Sequence, residues 1–159
     1  IKKKLKKKNL ICVSPDVGGV QRTRGLATKI AADLAIIDKR RPAPGKSRVM
    51  NIIGDVKGKT CIIVDDIIDS GGTIVNAVTA LKKSGAEDVY VFTTHGVLSG
   101  EAVKKIQSSK IKKLVITDSI DNSKKIKNHS KIEVLSISNL MAEAIKRISN
   151  STSVSDLFN

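Results

Sequence analysis

The chain has 159 residues, 29 of them basic and 15 acidic, for a net charge of +14. This length suits one domain that needs no disulfide or metal staple. Aromatic residues make up 2%, which leaves Ile, Val, Leu and Ala to build the core and argues against a surface that reads nucleic acid by base stacking.

Charge and apolar patterning narrow the class further. The excess lies in two segments, Lys2 to Lys8 and the nine lysines between Lys104 and Lys131. Solvated lysine faces explain such runs more simply than a nucleic-acid partner. No apolar run reaches the ~18 residues of a membrane span. Cys12 and Cys61 sit in apolar stretches with no Cys or His at ligand spacing. Both are expected as reduced core residues, which favours a cytoplasmic location.

Residues 1–9 are expected to be the basic remnant of a linker, and 10–159 a domain. "LICVS" (10–14) predicts a strand. Residues 20–34 predict a helix with Leu26, Ile30 and Leu34 on one face. "AIID" (35–38) predicts a short strand, and 39–48, with two prolines and five bases, a loop. Strands follow at 49–54 and 60–65. A helix at 73–84 should turn Val75, Val78, Ala80 and Leu81 inward and stop at Gly85. Strand 88–95, helix 99–109, strands 113–118 and 131–136, and helix 138–149 complete the order. Apolar strands alternating with helices predict an α/β fold, a three-layer open parallel sheet with helices on both faces. Ligands of such sheets bind beyond the carboxyl ends of the strands.

The segment "IIVDDIIDSGGT" (62–73) stands at such an end. Asp65 and Asp66 close the strand, and Asp69, Ser70, Gly71, Gly72 and Thr73 turn into a helix N-terminus. Two glycines let backbone N–H groups converge, Ser70 and Thr73 add hydroxyls, and the helix dipole favours an anion. A sugar phosphate reconciles the acids with the anion cradle. Its hydroxyls donate to Asp65 and Asp66, its phosphate meets the turn, and Mg²⁺ offsets the remaining repulsion. An ordinary helix cap explains Asp69 or Ser70 but not the rest. Earlier in the chain, Asp16, Val17, Gly18 and Gly19 follow a strand and lead to Arg22, an arrangement suited to a diphosphate. Lys39, Arg40 and Arg41 open the basic, proline-containing stretch.

"VDDIIDSGGT" resembles the ribose-phosphate loop shared by type I phosphoribosyltransferases and ribose-phosphate pyrophosphokinases. "VSPDVGGVQR" (13–22), "IIDKRRP" (36–42), "TTHGVLSGEA" (93–102) and "SVSDLF" (153–158) are similar to the pyrophosphokinase (phosphoribosyl pyrophosphate synthetase) pattern. The resemblance covers Leu10 to Phe158 and implies a type I phosphoribosyltransferase-like fold, the second half of a two-domain synthetase without the first. It implies transfer of the β,γ-diphosphoryl group of ATP to the anomeric hydroxyl of ribose 5-phosphate. Lys39 and Arg41 would then be catalytic, and Asp65 to Thr73 would bind ribose 5-phosphate. Asp16, Val17, Gly18, Gly19 and Arg22 would bind pyrophosphate, with Asp16 also helping to hold Mg²⁺. Ser153, Ser155 and Phe158 would belong to a regulatory site, against the alternative of a frayed tail tucked in by Leu157 and Phe158. A homo-oligomer, hexameric in the family, is implied for the whole protein, with weak or absent activity for this half alone. His95 is expected to be structural and His129 without a role. The rival readings are a phosphoribosyltransferase that consumes phosphoribosyl pyrophosphate, and a non-catalytic regulatory or nucleic-acid-binding domain.

Overall fold

A computed structural model describes residues 5, 9–40 and 49–158, apart from the side chains of Arg40, Val49 and Met50. Arg41 and the rest of the basic stretch to residue 48 lie outside the described residues, as does most of the 1–9 segment. The elements run β1 (Leu10–Ser14), α1 (Val20–Ile30), β2 (Asp33–Arg40), β3 (Val49–Ile53), β4 (Thr60–Ile68), α2 (Gly72–Lys83), β5 (Asp88–Gly96), α3 (Ala102–Ser108), β6 (Lys113–Thr117), α4 (Ser123–Ile126), β7 (Ile132–Leu135) and α5 (Ser138–Ser149), with a short 3-10 turn at Ser155–Leu157.

The seven strands form one sheet in the order β3-β2-β1-β4-β5-β6-β7. All neighbours are parallel except β2 and β3, which are antiparallel. The strand order reverses between β1 and β4, and in open α/β sheets the crevice at such a reversal is where ligands bind. The turn after β1 carries Asp16 to Gly19, and the turn after β4 carries Asp69 to Thr73. The topology therefore sets the two glycine-containing turns side by side.

Side-chain alternation along the strands builds two unequal faces. Ile11, Val13, Ala35, Ile37, Cys61, Ile63, Val89, Val91, Leu114 and Ile116 join Ile74, Ala77, Val78 and Leu81 of α2 and Ala102 and Ile106 of α3 in the main core. Cys12 and Ser14 point to the opposite face, where α1 lies against β1 and β2. Fully burying one of these branched side chains stabilises the fold by about 1.5–3 kcal/mol.

Several elements depart from the sequence expectation. α1 ends at Ile30, with Ala31 in the left-handed region (φ 53°), and Leu34 belongs to β2. The buried residues of α1 are Thr23 and Ala27 rather than Leu26 and Ile30. Small side chains let the helix approach β1 closely, and the Thr23 hydroxyl donates to the Gly19 carbonyl at 3.0 Å, so its burial leaves no polar atom idle. α2 starts one residue early and buries Ile74 and Ala77 with Val78 and Leu81, while Val75 and Ala80 are half-buried. β4 runs three residues past its expected end because Ile67 and Ile68 go on pairing with His95 and Gly96. β2 extends through Lys39 and Arg40, held by Met50 and Val49 of β3, so these two residues are strand rather than loop. β1 stops against β2 at Ile36, which leaves 37–40 paired on one side only. α5 keeps its expected bounds, but none of its residues is buried, and Leu140, Met141, Ile145 and Ile148 form an exposed stripe.

Candidate functional site

The β4–α2 turn encloses a hollow of about 240 Å³ lined by Asp65, Asp69, Ser70, Gly71 and Thr73, with Ile67, Ile68 and Ile74. Gly71 is the N-cap residue in the left-handed conformation (φ 74°), and it makes no side-chain cap. Glycine adopts that conformation at no steric cost. The cap reading of Asp69 or Ser70 is thereby replaced, because neither side chain bonds the helix start. The first helical hydrogen bond runs from the Val75 N–H to the Gly71 carbonyl at 3.0 Å. The N–H groups before Val75 have no partner in the helix, and α2 has no acid in its first turn. That is the arrangement an anion completes. The turn rests on α3, with the Gly71 Cβ position 3.8 Å from the Ala102 Cα.

The β1–α1 turn is fixed by Asp16. Its Oδ1 accepts the Gly19 N–H at 2.9 Å, and the Ser14 hydroxyl donates to its carbonyl at 2.6 Å. A Cβ at Gly19 would stand 2.9 Å from the Ser14 Oγ, so a side chain here would push the Ser14 hydroxyl aside. Val17 is exposed.

Arg22, in the first turn of α1, reaches across to β4. Its Nη1 donates to the Asp65 Oδ1 and its Nη2 to the Asp66 Oδ2, each at 3.3 Å. Sequence reading assigned Arg22 to the diphosphate side alone and missed this bridge, which spans more than forty residues and leaves no local trace. Burial pushes the Asp65 carboxyl above its ordinary range, helped by the negative charges of Asp66 and Asp16. Desolvation would raise Asp66 as well, but its hydrogen bond with Asp65 and the Arg22 charge hold it below that range. The pair thus divides into a carboxyl that protonates early and one that stays ionised.

Among the described residues no three acid, His or Cys side chains stand close enough to hold a metal by themselves. Mg²⁺ commonly takes one or two carboxylates and completes its shell with water and substrate phosphates. The concentration of charge at Asp16, Asp65 and Asp66 fits that mode of binding.

Lys39 sits on the one-sided end of β2, beyond the last β1 partner. His95 is exposed, with Nδ1 2.9 Å from the Ser119 Oγ, which in turn meets Thr117. Lys105 of α3 approaches the Ser70 carbonyl at 3.5 Å, a neighbour of the turn that sequence reading also missed. Ser153 contacts Ser155 at 2.9 Å and Asp156 at 3.0 Å, Arg147 donates to the Ser153 carbonyl, and Lys29 donates to the Phe158 carbonyl at 2.8 Å. Polar contacts pin this tail, and Phe158 is exposed rather than tucked in. Several lysines of the 104–131 segment cap carbonyls: Lys113 at Ser130, Lys125 at Val97 and Lys131 at Ser109. Cys12 and Cys61 are free and buried, and burial pushes their thiols up to about 11 and about 12. No helix among the described residues is long and apolar enough to cross a membrane.

Comparison with known proteins fits this geometry. The phosphoribosyl synthetase-associated domain model matches residues 39–159. A ribose-phosphate pyrophosphokinase of Brucella melitensis is 59% identical over 150 residues, 94% of this chain and 48% of that protein. One from Hyphomonas neptunium is 56% identical over 159 residues, 99% of this chain and 51% of that protein. The crystal structure of the phosphoribosylpyrophosphate synthetase from Mycobacterium smegmatis superposes with a TM-score of 0.82 at 36% identity, covering 91% of this chain and 46% of that one. An adenine phosphoribosyltransferase, with a TM-score of 0.54 at 19% identity, shares the fold. The chain spans about half the length of the curated relatives it matches. With the two turns following adjacent strands at the sheet's reversal and the family model matching residues 39–159, the chain belongs to the phosphoribosyl synthetase-associated domain family.

Proposed function

We propose that this chain supplies the ribose 5-phosphate and diphosphate sites of a ribose-phosphate diphosphokinase. The observation that carries the reading is the hollow of about 240 Å³ in which Asp65 faces the open amides of the Gly71 turn. Carboxylates for hydroxyls and amides for phosphate match a phosphorylated sugar end to end. Similarity to pyrophosphokinases of 55–59% identity supports the synthetase over a phosphoribosyltransferase or a non-catalytic domain.

In this reading the 5-phosphate lies on the N–H groups of the Gly71 turn, with the Ser70 and Thr73 hydroxyls beside it. Ribose hydroxyls donate to Asp65 and Asp66, which orients the anomeric hydroxyl toward the β1–α1 turn. That hydroxyl attacks the β-phosphorus of ATP, the bond to the α-phosphate oxygen breaks, and AMP leaves. Asp16, Val17, Gly18, Gly19 and Arg22 hold the transferred diphosphate. Lys39, with Arg41 from outside the described residues, offsets charge that builds on the phosphoryl oxygens. Mg²⁺ held near Asp16 would supply further charge neutralisation. ATP and ribose 5-phosphate are the partners, the whole protein acts as a homo-oligomer in the cytoplasm, and Ser153, Ser155 and Phe158 line a regulatory site.

Calorimetric titration with ribose 5-phosphate tests the reading. Saturable heat is expected, with NMR shifts confined to 65–74, and ribose lacking the phosphate should bind at least tenfold more weakly. A folded chain that gives neither heat nor shifts would refute it. AMP formation from ATP and ribose 5-phosphate should be far below that of a full-length relative.

A further inference from the structure

Lys105 takes no part in the proposed reaction, yet its ammonium faces the turn that would hold the phosphate. It lies on α3, one helical turn beyond Ala102, against which Gly71 packs. Its Nζ stands 3.5 Å from the Ser70 carbonyl oxygen. At that length the contact is a charge facing a carbonyl dipole more than a short hydrogen bond. The neighbouring Lys104 is engaged elsewhere, with Glu101 at 2.8 Å.

The Ser70 carbonyl and the Gly71 N–H belong to one peptide group. In a planar trans peptide the two point in opposite directions, and no peptide bond among the described residues is cis. With the carbonyl turned to Lys105, the Gly71 N–H is turned away from it. None of the residues lining the hollow of about 240 Å³ comes from α3. The backbone of Gly71 does not by itself fix this orientation. Its φ is 74°, and glycine takes negative φ about as readily. A half-turn of the Ser70–Gly71 peptide therefore meets little steric resistance, and it would exchange the N–H for a carbonyl oxygen that repels an anion.

We propose that Lys105 is a positioning residue for the phosphate. Its charge holds the Ser70 carbonyl on the α3 side of the turn and so keeps the Gly71 N–H directed into the hollow. The proposal rests on the reading of that turn as a sugar-phosphate site. It gives the anion cradle a latch outside the contiguous loop, on the helix that backs it.

The test is titration of the wild-type chain, Lys105→Met, Lys105→Arg and Lys104→Met with ribose 5-phosphate and with ribose, read by calorimetry and by the Gly71 amide signal in NMR. Lys105 is exposed and methionine keeps an unbranched apolar stem, so the variants should fold alike. Lys105→Met should weaken ribose 5-phosphate about threefold, as expected for a solvent-screened charged contact, and Lys105→Arg should recover most of the loss. Ribose, which lacks the phosphate, should bind all four chains equally. In free Lys105→Met the Gly71 amide signal should move, and saturating ribose 5-phosphate should return it to the wild-type bound position, because the ligand selects the inward N–H. Lys104→Met removes the same charge one residue away and should change neither the affinity nor that signal. If ribose 5-phosphate binds the wild type and Lys105→Met alike, the proposal is overturned and the sugar-phosphate reading stands. An equal loss in Lys104→Met, or for ribose, would overturn it too. If ribose 5-phosphate does not bind the wild-type chain, both fall together.

Discussion

The Arg22 bridge allows a quantitative prediction. Arg22→Ala removes two hydrogen bonds of 3.3 Å, longer than the ~2.7–2.9 Å of strong charge-assisted pairs. The side chains of Arg22 and Asp66 are 46% and 60% exposed, and that of Asp65 is 22% exposed. Solvent therefore screens most of the interaction, and the loss should be near the exposed-pair limit of ~1 kcal/mol rather than the ~3–5 kcal/mol of a broken buried pair. For a domain of this size that is a fall in melting temperature of about 2–4 °C. A double-mutant cycle with Asp66→Asn should give a coupling of ~0.5–1 kcal/mol.

The pH dependence has an unambiguous sign for each carboxyl. Asp66, held low, contributes stability above the ordinary carboxylate range that is lost as pH falls through its depressed value. Asp65, pushed up, favours the fold below the ordinary range and loses that contribution as pH rises through its elevated value. Arg22→Ala should reduce the Asp66 contribution and leave the variant's deficit largest near neutrality, shrinking as pH falls below the ordinary carboxylate range. Melts followed by circular dichroism between pH 3 and 8 check this. A deficit that grows on acidification, or a cycle with no coupling, would refute the bridge.

Three further outcomes follow from local geometry. Gly71→Ala places a Cβ at φ 74°, which should cost ~1–2 kcal/mol in chemical denaturation and weaken ribose 5-phosphate binding, both measurable on one sample. Gly19→Ala sets a Cβ 2.9 Å from the Ser14 Oγ, so urea melts should show a loss of ~1–3 kcal/mol that Ser14→Ala partly restores. With thiols raised to about 11 and about 12, Cys12 and Cys61 should resist a thiol reagent at pH 8 in the native protein and react fully in denaturant.

Much of this site was legible in the sequence because its parts are local. The turn at Asp69 to Thr73 needs only a strand, two glycines and a helix start, all contiguous in the chain. The same holds for Asp16 to Gly19. Contacts between distant segments were not legible, as Arg22 on Asp65 and Asp66 and Lys105 beside Ser70 demonstrate. Helix faces were read from apolar spacing, which overlooked that Thr23 can be buried once its hydroxyl bonds within its own helix. The α1 boundary was misplaced because Asp33 and Leu34 continue a helical pattern, and only pairing with Ile11 and Cys12 draws them into β2. The antiparallel β3 was hidden for the same reason, since strand direction is decided by partners.

The β2–β3 overhang has a mechanical meaning. From Ile37 to Arg40 the ribbon projects about 10 Å at ~3.3 Å per residue, clamped at its root by the fully enclosed Ile37. It behaves as a cantilever, so a bend of about 10° at the clamp would swing its tip by about 2 Å. The backbone that carries Lys39 is therefore held by the stiffness of a short beam whose pivot is part of the core, and trimming Ile37 would shift it without touching the residue itself.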